Sequence, residues 1–67
     1  MAVARVTEII ASSTKGFEDA IQEGMRRANQ TLRGITGLHV VSLKAAVDNG
    51  KISEYRAQLN ITFILED

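Results

Sequence analysis

The chain contains no cysteine, which excludes disulfides and thiolate metal sites. Its single histidine, His39, cannot build a structural zinc site alone. There is no charge excess of either sign: eight basic and eight acidic residues cancel, which argues against a nucleic-acid or membrane-surface partner recruited by charge. No apolar run is long enough to span a bilayer. Arg5 and Glu8 fall where a secretory signal needs an unbroken apolar core, so the expected setting is cytoplasmic. Asn29 and Asn60 open N-x-T triplets, which carry meaning only in a secreted chain. With 67 residues, the expectation is one small domain over 1–67. A chain of that size buries only about 60% of its unfolded surface. With no covalent staple, association with further copies is the remaining way to bury more.

What is present is most legible at the C-terminal end. From Tyr55 the chain alternates, with Tyr55, Ala57, Leu59, Ile61, Phe63 and Leu65 on one side and Arg56, Gln58, Asn60 and Thr62 on the other. Period two with β-branched and aromatic residues marks a half-buried strand. Val3 to Ile10 is a shorter β-prone run closed by a loop over 11–16; Ile9 and Ile10 are both apolar, so its two faces do not separate. From Phe17 the period becomes helical: Phe17, Ala20, Ile21, Met25 (or Gly24), Ala28, Leu32 and Ile35 recur at steps of three and four. Glu18 and Asp19 open this helix, Arg33 closes it and Gly34 is its natural stop. A glycine in mid-helix, Gly24, costs about 1 kcal/mol against alanine and points to close packing of helix on sheet.

Residues 37–47 form a second extended run, and Asp48-Asn49-Gly50 is a hairpin signal, since Asn-Gly supplies the positive φ angles of a type I′ turn. A two-residue loop sets Asp48 opposite Lys51, Val40 opposite Leu59, Leu38 opposite Ile61 and Lys44 opposite Tyr55. On the other face it sets His39 against Asn60, Val41 against Gln58 and Leu43 against Arg56. The predicted fold is therefore α+β: β-α-β-β, a three-stranded antiparallel sheet of order 1-3-2 packed on one helix. Its bare side is expected to mix Val41, Leu43 and Val47 with Gln58, Asn60 and Thr62. That composition is too apolar for water and too polar for a dry core, and reads as a subunit interface or the wall of a shared cavity.

The segments Glu18-Asp-Ala-Ile-Gln22, Arg27-Ala28 with Thr31-Leu-Arg33, Gly50-Lys51, Glu54-Tyr55 and Thr62-Phe63 resemble the dodecins in order and spacing over nearly the whole chain. The resemblance implies a hollow homododecamer of 23 symmetry that sequesters a flavin (riboflavin, FMN or FAD) at subunit contacts without turnover. It also implies a tryptophan that opens strand two and stacks on the flavin, and a glutamine after the strand-three tyrosine that hydrogen-bonds the ring edge. Here those positions are Gly37 and Arg56; a tryptophan two residues later in some dodecin-like sequences corresponds to His39.

The candidate ligand-binding residues are accordingly Gly37, His39, Arg56 and Gln58, each with a structural alternative. Gly37 either opens space for a ligand or is a strand-entry glycine. His39 either stacks on a flat ligand or ligates a metal with its symmetry mates, or else is an interface histidine bonded to Asn60; at an axis it would make stability pH-sensitive near the ordinary imidazole value of about 6.5. Arg56 either recognises a carbonyl, phosphate or carboxylate, or pairs with Glu54, Glu66 or Asp67 of a neighbour. Gln58, with Asn60 and Thr62, either lines a polar cavity or makes cross-strand hydrogen bonds. Glu66-Asp67 with Asp48 would attract calcium at an axis or form a solvated acidic tail. One histidine with no nucleophile beside it does not make an enzyme. Two readings follow: a flavin-binding shell, or the same shell without tight flavin binding, structural or holding an anion or a metal ion.

Overall fold

The computed structural model describes residues 3–65 as β1 (Val3–Ser13), α1 (Phe17–Thr31), β2 (Ile35–Asp48) and β3 (Lys51–Leu65). The sheet order is β1-β3-β2, with β3 antiparallel to both neighbours. This is the β-α-β-β fold with the 1-3-2 sheet that the periodicities predict. Glu66 and Asp67 lie outside the described residues.

Antiparallel partners share a face of the sheet, so the register sorts every side chain. The helix side carries Leu59 with Ile9 and Val40, Ala57 with Ala11, and Ile61 with Thr7 and Leu38. Leu59 and Ile61 are the only large side chains fully buried among the described residues, and Ala20, Ala28 and Ala57 complete the core. Small residues at one-turn spacing on α1, Ala20, Gly24 and Ala28, let the helix lie close on β3. A Cβ at Gly24 would stand 2.7 Å from Leu59 Cδ1 and 3.1 Å from Ala11 Cβ. The mid-helix glycine is therefore a packing requirement. At the helix start, Phe17 meets Tyr55 edge to face with ring centroids 5.0 Å apart, which fixes that end of α1 over β3.

Several expected boundaries shift. β1 runs three residues past Ile10, because Ala11, Ser12 and Ser13 find partners in Ala57, Arg56 and Tyr55. Ile9 faces the helix and Ile10 the opposite side, where it is 70% exposed. The helix ends at Thr31, so Arg33 lies beyond it; Leu32 turns to extended backbone while its N–H still reaches Ala28 O. Gly34 then accepts a hydrogen bond from Ile64 N (3.0 Å), which ties the start of β2 to the end of β3.

The hairpin turn is as predicted, with Asn49 at φ 54° and Gly50 at φ 78°. The pairs Asp48–Lys51, Val40–Leu59, Leu38–Ile61 and His39–Asn60 also hold. Between them the register differs from that expectation by one residue. Register shifts at Ala46/Val47 and Val40/Ser42 leave Ser53 of β3 and Val41 of β2 as extra residues. Lys44 therefore stands opposite Arg56 rather than Tyr55, Ser42 replaces Val41 opposite Gln58, and Leu43 pairs with Ala57 rather than Arg56. Two bulges on opposite strands cancel, which is why the turn pair and the pairs from Val40 to Gly37 match a simple count and the stretch between does not. A third shift between Ile35 and Gly37 leaves Thr36 as an extra residue. Leu43 and Val47 consequently leave the bare face on which the simple count places them and join the line of the helix side.

Candidate functional site

The face turned away from α1 is a lattice of cross-strand rows. In one row Glu8, Asn60 and His39 lie side by side on β1, β3 and β2; the next holds Ile10, Gln58 and Ser42; the third holds Ser12, Arg56 and Lys44. Val6 and Gly37 flank Thr62 at the far end. Val6 and Ile10 are 56% and 70% exposed, so greasy and polar residues alternate on one open surface.

Gln58 is the best-fixed polar group on this face. Ser42 Oγ donates to Gln58 Oε1 at 3.0 Å, and Gln58 Nε2 donates to Glu8 Oε2 at 2.9 Å. A hydroxyl, an amide and a carboxylate thus form a ladder across all three strands, and the Ser42 bond sets which way the amide points. Arg56 bonds Glu54 through Nε, which leaves its outer guanidinium nitrogens turned to solvent. That pair lies within one chain, two residues apart on the same strand. His39 sits exposed opposite Asn60, although no side-chain hydrogen bond joins the two. A Cβ at Gly37 would meet only Thr62 Cβ, at 3.9 Å. Unlike at Gly24, no steric demand selects glycine there, and the position is an opening in the face.

All four sequence-derived candidates therefore share the open face, but they do not converge within one chain. His39 and Gln58 stand in adjacent rows, separated by two residues along β3. Gly37 and Arg56 are separated by six residues along β3, about 20 Å at strand rise. Sequence reasoning missed three members of the same surface: Glu8, Ser42 and Lys44. Glu8 was hidden by the ambiguous faces of β1, and the other two by the bulge at Val41. Among the described residues, no three His, Cys, Asp or Glu side chains of one chain come together as a metal site.

Two concavities lie elsewhere among the described residues: a shallow one of about 520 Å³ around Lys15, Phe17 and Gln22, and a groove of about 500 Å³ between α1 and the outer edge of β1. Its floor is Ile9, Ala11, Gly24, Ala28 and Leu32, and Glu23, Arg26 and Arg27 form its lip. Arg26 bonds Glu23 along the helix and holds that carboxyl below its ordinary value, by hydrogen bonding first and by charge second. None of the four candidate residues borders this groove.

The architecture has known counterparts. The dodecin of Thermus thermophilus is 31% identical over 65 residues, covering 97% of this chain and 94% of that protein. The structure of a dodecin from Streptomyces coelicolor matches with a TM-score of 0.94 at 29% identity, over 98% of this chain and 94% of its own. A Mycobacterium tuberculosis protein described as a calcium-chelating immunodominant antigen, calcium dodecin, matches with a TM-score of 0.82 at 34% identity, over 96% and 91%. The family model for dodecin spans residues 3–66. On sequence and fold together, the chain belongs to the dodecin family.

Proposed function

We propose that this chain assembles as a homododecameric shell and sequesters a flavin (riboflavin, FMN or FAD) at subunit contacts, binding it without catalysing a reaction. The observation that carries this is the state of the open face. Among the described residues only Leu59 and Ile61 are large and fully buried, while Val6 and Ile10 stand on that face beside the ordered ladder Glu8–Gln58–Ser42. Such a surface is completed by protein or ligand rather than by water. Membership of the dodecin family supports copies of the same chain as the protein and a flavin as the ligand.

The roles follow from position. Gly37 opens room where the family's stacking tryptophan is expected, and the flat imidazole of His39 supplies a stacking surface nearby. Gln58, with its amide oriented by Ser42, and Arg56, with its outer nitrogens free, donate to ring carbonyls or to a phosphate. Because Gly37 and Arg56 are about 20 Å apart on one sheet, a second copy facing the first is what brings the two ends to one ligand. The shell is read as cytoplasmic, with no nucleic-acid or membrane partner; no helix among the described residues is long and apolar enough to cross a membrane.

A second reading is favoured by the Lys44–Arg56 pair and by the absence of tryptophan. It is the same shell without tight flavin binding, with the two cations taking a phosphate or carboxylate. The calcium-chelating relative extends it to a metal ion, for which carboxylates of several copies would have to meet at an axis.

Mass photometry of untagged protein, followed by riboflavin and FMN titration of the same sample, tests both. Twelve chains that quench flavin fluorescence support the first reading. Twelve chains that leave riboflavin fluorescence unchanged support the second. A well-folded monomer at micromolar concentration overturns both.

A further inference from the structure

The β2–β3 hairpin is longer than anything that covers it. β1 ends at Ser13 opposite Tyr55, and α1 begins at Phe17 against the same Tyr55. Beyond that point, over residues 46–53, the hairpin is a two-stranded ribbon with no third strand and no helix on either face. An isolated two-stranded ribbon is marginal in water. This one nevertheless carries an apolar cross-strand pair at its end, Val47 opposite Ile52, exposed by 67% and 52%.

The same chain has the converse feature at its other side. The groove between α1 and β1 has a lining that includes the apolar run Ile9, Ala11, Gly24, Ala28 and Leu32. It opens beside the outer edge of β1, whose strand neighbour is β3 on one side only. Charge offers one pair between copies, with Asp48 already facing Lys51 across the turn. The tip bears Asp48 next to Val47, and the groove's lip bears Arg27, whose neighbour Arg26 is already engaged by Glu23.

We propose that the hairpin tip of one copy, led by Val47 and Ile52, seats in the α1–β1 groove of the next, with Asp48 of the tip facing Arg27 of the groove. The tip cannot reach its own groove. Arg27 is ten residues along α1 from Phe17, and the tip points beyond Tyr55 in the opposite sense, a separation of roughly 25 Å. The contact joins unlike surfaces and is therefore heterologous, and in an assembly that closes, such contacts form a ring. In a shell of 23 symmetry, that ring lies on a three-fold axis. The inference rests on the proposed self-assembly but not on any ligand; the groove reaches the open face only at Ile10 and Ser12 and includes none of Gly37, His39, Arg56 and Gln58.

The test uses variants that leave the monomer's core untouched. Ile52→Asp is expected to raise the protein concentration needed for assembly by at least about tenfold, with far-UV circular dichroism unchanged. Asp48→Arg and Arg27→Asp are each expected to weaken assembly, and the double variant in one chain to restore it, since every contact between copies then regains opposite charges. Rescue identifies the pair, because the two residues are too far apart to meet within a chain. Wild-type protein that assembles, with Ile52→Asp assembling equally well and no coupling between positions 27 and 48, overturns the tip-in-groove contact and leaves the shell standing. Wild-type protein that stays monomeric overturns the shell and the contact together.

Discussion

Lys44 of β2 stands directly opposite Arg56 of β3, so two cations share one cross-strand pair. Like charges in that position are unfavourable, and Glu54 offsets the charge of Arg56 alone. A bound anion relieves both. Lys44→Glu is expected to stabilise the hairpin by about 0.2–1 kcal/mol at low ionic strength, with the gain shrinking in 1 M salt. In the same variant FMN should lose affinity while riboflavin does not. Equal losses for the two flavins would remove Lys44 from phosphate recognition.

Restoring an aromatic ring should restore tight stacking. At Gly37 an added Cβ meets only Thr62 Cβ at 3.9 Å on an open face, so Gly37→Trp is expected to fold and assemble normally. A stacked aromatic is worth roughly 0.5–1.5 kcal/mol beyond its area. With two copies facing one ligand, the variant should bind riboflavin about tenfold more tightly and quench its fluorescence. Normal assembly with unaltered riboflavin affinity would place the pocket elsewhere.

The ladder across the open face should be sensitive to its central amide. Gln58→Leu removes one hydrogen bond to a hydroxyl and one to a carboxylate, with an expected cost of about 1–2 kcal/mol in urea unfolding. Gln58→Glu sets a second carboxylate beside Glu8. It should be worse at pH 7 and recover as the pH falls toward 4, where one of the pair takes a proton. A pH-independent penalty would show that Glu8 is not its partner.

Gly24→Ala is the test of helix-to-sheet packing. Alanine gains about 1 kcal/mol of helix propensity. The added methyl would stand 2.7 Å from Cδ1 of the fully buried Leu59, which must shift, and 3.1 Å from Ala11 Cβ. Overpacking costs about 1–3 kcal/mol, so net destabilisation in chemical denaturation is expected. A more stable variant would mean that the helix can lift off the sheet.

Glu23→Gln gives a pH prediction whose sign follows from Arg26. The Glu23 carboxyl lies below its ordinary value in the folded chain, so its contribution is present above the unfolded carboxylate value and is lost as pH falls through the folded one. Both side chains are solvent-facing, and exposed pairs contribute little. The variant should match wild type at pH 7 and differ only by a shallower acid limb below about pH 4.3. A marked loss of stability at neutral pH would contradict this.

The sequence by itself determined the order of elements, the I′ turn at Asn49-Gly50, the clean alternation of β3 and the demand for close packing at Gly24. Each is a local property, carried by side-chain period or by backbone conformation within a few residues. It also placed Gly37, His39, Arg56 and Gln58 on one face, since parity along β2 and β3 survives to those positions. Only the tertiary structure decided which residues stand beside them. The bulges at Val41 and Ser53 arise from strand pairing and cancel each other, so no count from the turn could reveal that Lys44 meets Arg56 or that Ser42 holds Gln58. The faces of β1 were likewise undecidable between Ile9 and Ile10 until β3 chose one of them. The same pairing stops β1 at Tyr55 and leaves the hairpin tip bare, a length mismatch between covering and covered elements that exists only once they are laid together.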